Sequence, residues 1–242
     1  MTTLVVGATG ATGKLLVSQL LERGEQVKVI VRSPDNLPAS VRNHPNLTVT
    51  QASILDLTEA DIADHIHECQ AIASCLGHNL SFKGIFGEPR RLVRRAIQNL
   101  CNGILKHAST TPVKFVLMNT TGNRNRDLDE PVSLGQQLVV SLMRLLLPPH
   151  ADNEEAADYL RTQIDRQAGF IEWVVVRPDN LINEDNVSAY GAHTSPTRSA
   201  IFNPGKTSRS NVAHFMAELI LNDDLWQQWR WQMPVLYNQS SS

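Results

Sequence analysis

Three glycines, each three residues after the last, open this chain. Leu4-Val5-Val6 runs into Gly7-Ala8-Thr9-Gly10-Ala11-Thr12-Gly13 and on to Lys14-Leu15-Leu16. An apolar strand that feeds a glycine turn, which in turn opens a helix, is the setting in which this spacing binds a pyrophosphate. Gly7 lets the chain leave the strand through a tight turn, Gly10 lets the backbone come close to the phosphates, and Gly13 lets the first helical turn pack on the strand. Residues 7–13 are expected to hold the diphosphate of a dinucleotide on free amides at a helix N-terminus, where the helix dipole favours negative charge.

The end of the second strand decides which dinucleotide. A cofactor without a 2′-phosphate is bound by Asp or Glu about 20 residues past the glycines. Here the chain reads Val29-Ile30-Val31-Arg32-Ser33-Pro34, with no carboxylate. A guanidinium can grip a phosphate through several charge-assisted hydrogen bonds. Arg32 and Ser33 therefore predict NADP in preference to NAD, with Asp35 as the alternative ribose ligand.

The elements that must position these residues alternate between strand and helix. Strands are expected over 3–6, 26–31, 47–51, 71–76, 113–118, 172–177 and 233–237. Helices are expected over 11–23, from 57–59 onward with Thr58 as cap, over 90–107, over 133–147 until Pro148-Pro149 stop it, over 153–168 and over 211–221. This order predicts an α/β fold, a Rossmann-type doubly wound parallel sheet. Residues 1–242 are expected to form one domain, with 178–210 and 225–238 as a small substrate-side, C-terminal region. On such sheets ligands bind beyond the strands' C-terminal ends. That rule singles out Arg32-Ser33, Ser53-Ile54, Gly77-His78, Asn119-Thr120-Thr121 and Pro178-Asp179-Asn180.

The bulk properties exclude several classes. The 242 residues are 42% hydrophobic and 19% charged with a net charge of −2, so no basic field points to nucleic acid. Arg90, Arg91, Arg94 and Arg95 read as a solvated face near a helix start, with a ligand clamp as the alternative. Cys69, Cys75 and Cys101 lack C-x-x-C spacing and suit a reducing, cytoplasmic setting. No secretory or membrane-spanning segment is expected, since the apolar run 138–147 is short and holds Arg144. His65 and His67 do not share a helix face, and no metal site is expected. The stripe Leu134, Leu138, Leu142, Leu145 and Leu146 reads as core, as the wall of an apolar substrate cavity, or as a dimer face. A monomer or homodimer is expected.

Several segments resemble the atypical short-chain dehydrogenase/reductases. They are the glycine turn, Val31-Arg32, Ser53-Ile54-Leu55-Asp56, Cys75-Leu76-Gly77, Trp173-Val174-Val175-Val176-Arg177-Pro178 and residues 208–216. The chain is similar to their NmrA-like NAD(P)H-binding group and to the biliverdin-IXβ/flavin reductase branch. The resemblance implies that Ser53 and Ile54 flank the adenine. It also implies that Leu76, Gly77, Thr120, Thr121 and Pro178 approach the nicotinamide and its ribose. The better-known members use a Ser or Thr, a Tyr, and a Lys four residues later that lowers the Tyr pKa. Thr121 stands where the Ser/Thr would, and Tyr159 is the Tyr candidate or a packing or surface residue, but Gln163 replaces the Lys. Asp152, at the start of the helix after the double proline, is a candidate proton relay or a cap. His78 is a candidate to face the cofactor or an ordinary loop histidine.

The leading expectation is an NADPH-dependent reductase of a small planar or carbonyl acceptor that is flavin-, quinone- or tetrapyrrole-like. Such acceptors can take their proton from solvent, so loss of Tyr and Lys need not end the chemistry. The alternatives are an NmrA-like NADP sensor that presents a surface to a protein partner, and an epimerase- or dehydratase-like isomerase.

Overall fold

The computed structural model describes residues 1–78, 89–107, 111–130 and 134–239. Six strands pair in parallel: β1 (Thr2–Val6), β2 (Gln26–Val31), β3 (Leu47–Gln51), β4 (Ala71–Ser74), β5 (Val113–Met118) and β6 (Ile171–Pro178). Their order is β3-β2-β1-β4-β5-β6. The direction of winding reverses between β1 and β4, and such a switch point opens a crevice at the strands' C-terminal ends. The connections carry α1 (Gly13–Glu22), α2 (Ala39–Arg42), α3 (Glu59–Ile66), α4 (Leu92–His107), α5 (Leu134–Leu146) and α6 (Pro148–Gln163). After β6 come β7 (Asn180–Ile182), β8 (Tyr190–His193), β9 (Lys206–Ser208), α7 (Arg209–Leu221), α8 (Asp223–Trp229) and β10 (Val235–Asn238). β10 joins β6 in parallel, β8 closes the edge antiparallel to β10, and β7 and β9 form a separate parallel pair.

Successive strand residues point to opposite faces, and both faces are covered. Val5, Val29, Ala73, Val116 and Val174 pack in a layer under α1 and α7. Their neighbours Leu4, Ile30, Ile72, Phe115 and Val175 pack on the other side under α3, α4 and α6. This explains the unbroken apolar run of β6: alternate residues serve two cores. The C-terminal tryptophans divide in the same way. Trp226 and Trp229 are buried in the first layer, while Trp231 meets Trp173 of the second edge-to-face at 5.8 Å between ring centroids.

Thr58 does cap α3. Its hydroxyl accepts from the Asp61 amide (3.2 Å) while the Asp61 carboxylate accepts from the Thr58 amide (3.0 Å), a reciprocal capping box. Elsewhere the boundaries move. Pro148-Pro149 do not only stop α5; they start α6, because a proline in the first helical turn gives up an amide that has no partner there anyway. The helix expected over 153–168 therefore runs from Pro148 to Gln163. α7 begins at Arg209, where the Ser208 hydroxyl accepts from the Asn211 amide (3.1 Å). The Asn-, Pro- and Gly-rich stretch 178–210, which carries no periodicity, holds β7, β8 and β9.

Candidate functional site

A cleft of about 530 Å³ opens at the switch point. Gly7, Thr9, Gly10, Ala11 and Thr12 form its floor, Arg32, Ser53 and Ile54 one end, and Leu76, Gly77, His78 and Thr120 the other. Gly7 turns at φ +75°, and a Cβ there would lie 2.5 Å from the Cys75 carbonyl carbon. A Cβ on Gly13 would lie 2.1 Å from the Gly7 oxygen. These two glycines thus let β1, β4 and α1 close on one another. Gly10 differs. A Cβ there would meet only the carbonyl oxygens of Gly7 (3.2 Å) and Cys75 (3.9 Å), and the residue lines the cleft.

The mouth of α1 is left open to a ligand. It has no side-chain cap and no acidic residue in its first turn. The amides of Ala11, Thr12 and Gly13 find no acceptor among the described residues. Such a terminus fits a pyrophosphate. At the end of β2, Arg32 has no carboxylate within ion-pair distance among the described residues. Asp35 is 92% exposed, does not line the cleft, and pairs with Arg42 at 2.5 Å. Thus the geometry brings Arg32 to the cleft and takes Asp35 away. Arg209, at the start of α7, and Leu181 of β7 also line it. The sequence carried no signal for either, because both come from the irregular C-terminal part.

Not every expected residue arrives. Ala8 is fully buried in the core. Ser33 is exposed and, with Gly13 and Pro178, does not line the cleft. Thr121 faces away from it: its hydroxyl donates to Asp179 Oδ1 (3.2 Å) and its amide to the Pro178 carbonyl (3.1 Å). The neighbouring Thr120 lines the cleft instead, since successive residues after a strand point to opposite sides. Tyr159 does not line it either. Its ring lies beneath the Arg94 guanidinium, 4.0 Å from the centroid, and burial pushes its hydroxyl above the usual phenol value. That is the opposite of what a tyrosine acid needs, so the geometry assigns Tyr159 to packing.

Asp152 is fully enclosed. Its side chain accepts from the amides of Val93 (2.8 Å) and Arg94 (2.9 Å), so it caps α4 rather than its own helix. It also meets His78 Nε2 at 2.7 Å. Asn119 stabilises the opposite wall. Its amide donates to the Asn153 carbonyl (2.9 Å) and its oxygen accepts from the Thr120 amide (2.9 Å). No group of three or more potential metal ligands is found among the described residues.

A second cavity of about 620 Å³ adjoins this wall. Thr120 and Asn153 line the first cavity, and Thr121 and Glu154 the second. The described α5 residues that line this cavity are Val140, Ser141 and Arg144. Arg144 projects from α5 onto Glu154, which also holds Arg126 at 2.9 Å. Leu142 and Leu146 are more than half exposed, and the side chains of Leu134, Leu138 and Leu145 lie outside the described residues. Burial opposes the charge on Glu154, but Arg144 and Arg126 outweigh it and hold the carboxyl below its usual range.

His150 packs beside Gly122 with its Nε2 buried and without a partner among the described residues. Burial pushes its pKa down, Glu154 opposes this and Arg144 adds to it. The unfolded chain therefore binds this proton more readily than the folded one. The associated stability is present above the ordinary histidine pKa of about 6.5 and is lost as pH falls towards the lower folded value. Urea denaturation of wild type is expected to show a loss of stability between pH 7.5 and 5.5. That loss is expected to shrink in His150→Leu; an equal loss in both proteins refutes the assignment.

The fold and cleft define a Rossmann-type dinucleotide-binding protein. Residues 7–223 match the NAD(P)H-binding family, and the chain belongs to it. It is 29% identical over 234 residues to an uncharacterized chloroplastic protein of Arabidopsis thaliana, covering 91% of this chain and 72% of that one. Among solved structures it is similar to the oxidoreductase ylbE of Lactococcus lactis (TM-score 0.70, 18% identity, 100% and 93% of the two chains). A wide-type short-chain dehydrogenase/reductase of Veillonella parvula in complex with NADP superposes with TM-score 0.67 (13% identity, 99% and 95% covered). A Streptococcus pneumoniae protein assigned as an NADH-flavin reductase gives the same score (16% identity, 99% and 100% covered). Among the described residues no helix is long and apolar enough to cross a membrane.

Proposed function

We propose that this protein is an NADPH-dependent reductase that passes hydride to a small planar or carbonyl acceptor. The observation that carries the reading is the pairing of an uncapped helix mouth with a guanidinium at the end of β2, Arg32, that has no carboxylate partner among the described residues. In this reading the amides of Ala11, Thr12 and Gly13 hold the pyrophosphate, Arg32 takes the 2′-phosphate, and Ser53 and Ile54 border the adenine. Leu76, Gly77 and Thr120 border the nicotinamide end. NADPH, when bound, supplies the hydride; the chain orients it and keeps water from the reacting face. The NADP complex of the Veillonella protein and the flavin reductase assignment of the Streptococcus protein support the reading.

Titration calorimetry with NADPH and NADH tests it. Wild type is expected to bind NADPH at least tenfold more tightly. Arg32→Ala is expected to weaken NADPH about ten- to a hundredfold, the worth of one or two charge-assisted hydrogen bonds, and to leave NADH nearly unchanged. Equal affinity for the two cofactors in wild type overturns the role of Arg32.

The absence of a Lys-activated Tyr favours one other reading, a cofactor-binding regulator that docks a protein partner. Tight NADPH binding with no oxidation by any flavin, quinone or carbonyl acceptor would select it.

A further inference from the structure

We propose that His78, held by Asp152, is the acid that protonates a carbonyl acceptor in this cleft. The proposal rests on the reductase reading and narrows its acceptor to a carbonyl compound.

His78 follows Gly77 at the C-terminal end of β4 and lines the cleft beside Met118, Asn119 and Thr120. Its side chain is only 6% exposed, and that of Asp152 is fully buried. An ionised carboxylate only accepts hydrogen bonds. With Asp152 already taking the Val93 and Arg94 amides, the 2.7 Å contact makes His78 Nε2 the donor. Asp152 thereby fixes the ring's tautomer and orientation. Nδ1, which no described residue bonds, is left to exchange a proton with a ligand. The carboxylate is itself immobile because it caps α4, so the ring is held by a rigid element.

Elimination among the cleft's own residues leads to the same group. Among the described residues its titratable side chains are Arg32, Arg209, Cys75 and His78. The arginines stay protonated, and burial pushes the Cys75 thiol up to about 12. The Thr120 hydroxyl, which accepts from the Gly122 amide (3.2 Å), and the Asn119 amide, both ends of which are used, are not acids near neutral pH. Among the described residues of the cleft, His78 alone carries an imidazole, the side-chain type suited to giving and regaining a proton.

The step balances as follows. The carbonyl carbon gains the cofactor's hydride and its oxygen gains the Nδ1 proton. The nicotinamide is oxidised, the carbonyl becomes an alcohol, and the imidazole recovers a proton from water. Without the acid the product would leave as an alkoxide, a far stronger base than the anion of a hydroquinone or reduced flavin. The requirement for His78 therefore depends on the acceptor, which a purely structural histidine would not show.

Two measurements test this. The first needs no turnover: nitrogen-15 spectra of the histidine rings in wild type, with NADPH and with NADP⁺. The His78 signals are expected to move on binding and to differ between the two cofactors, because only the oxidised nicotinamide carries a positive charge. Signals that do not move, or move identically, overturn the proposal. The second compares wild type with His78→Gln on an aromatic aldehyde and on FMN or a quinone. The variant is expected to lose aldehyde reduction a hundredfold or more, the usual worth of a general acid, and to lose at least tenfold less of its flavin or quinone reduction. Equal losses on both acceptors, no loss on either, or a wild type that reduces FMN or quinone but no aldehyde, each overturns the acid and leaves the reductase reading intact. A wild type that oxidises NADPH with none of them overturns both.

Discussion

Glu130→Ala is expected to lower the stability of this protein by about 3–5 kcal/mol, the cost of leaving a buried charge without its partner. Arg177, on β6, is fully buried, and Glu130 is 2% exposed. The two meet through paired contacts of 2.6 and 3.1 Å. Arg177 also donates to the carbonyls of Met233 (2.7 Å) and Asn123 (2.9 Å), and Glu130 accepts from the Asn125 amide (2.9 Å). One ion pair thus joins the loop after β5, the central sheet and the segment leading into β10. Removing the carboxylate strands a guanidinium in the interior and frees the loop that carries Thr121 and the wall of the second cavity. For a chain of this size the loss corresponds to a fall in Tm of roughly 6–20 °C. Pairing Glu130→Leu with Arg177→Met removes both charges and is expected to recover part of the loss, though not all, because the Asn123 and Met233 carbonyls then lack donors. Thermal and urea denaturation of the single and double variants decide the matter. A single-variant cost below about 1 kcal/mol means that water reaches the pair and that the loop is not anchored through it.

The parts of this architecture that were legible in the sequence rest on local chemistry. The glycine turn announces itself because the requirements at Gly7 and Gly13 are backbone requirements, met by residue type alone. β2, β5 and β6 announce themselves through β-branched and apolar runs, and the Thr58 cap through a partner three residues away. What was hidden depends on pairs far apart in the chain. His78 and Asp152 are 74 residues apart, and Arg177 and Glu130 are 47 apart. His78, Asp152 and Arg177 could be singled out one by one, but nothing local ties any of them to its partner. Thr120 and Thr121 show a finer limit. Residue type could not say which of two adjacent threonines turns to the cleft, since a one-residue difference in register after β5 exchanges them. Pro148-Pro149 read as a stop for α5, which is correct for the helix before them but says nothing of the helix they begin. The strands β7 to β9 are three or four residues long, below the length at which alternation can be detected, and their pairing partners were needed to define them.

Gly7→Ala is expected to abolish tight NADPH binding, and Gly24→Ala, at nearly the same backbone angle, to leave it untouched. Gly7 sits at φ +75° and Gly24 at φ +80°, so a side chain at either carries a comparable conformational penalty of about 1–2 kcal/mol. They differ in space. A Cβ on Gly24, at the C-terminus of α1, meets nothing within 4 Å. A Cβ on Gly7 lies 2.5 Å from the carbonyl carbon and oxygen of Cys75 and 2.6 Å from the Leu76 amide nitrogen, all backbone atoms that cannot rotate away. Overpacking of this kind adds about 1–3 kcal/mol. It can be relieved only by pushing the end of β4 away from β1. That displacement moves Cys75, Leu76, Gly77 and His78, the end of the cleft proposed to take the nicotinamide, away from the glycine floor. The expected outcome is a loss of about 2–5 kcal/mol in stability for Gly7→Ala against about 1–2 for Gly24→Ala. NADPH affinity is expected to fall at least a hundredfold in the first and by less than threefold in the second. Denaturation and calorimetry on the two variants separate strain from clash. If Gly7→Ala binds NADPH within threefold of wild type, the contact between β1 and β4 does not set the width of the cofactor cleft, and the glycine at this position answers only to the turn.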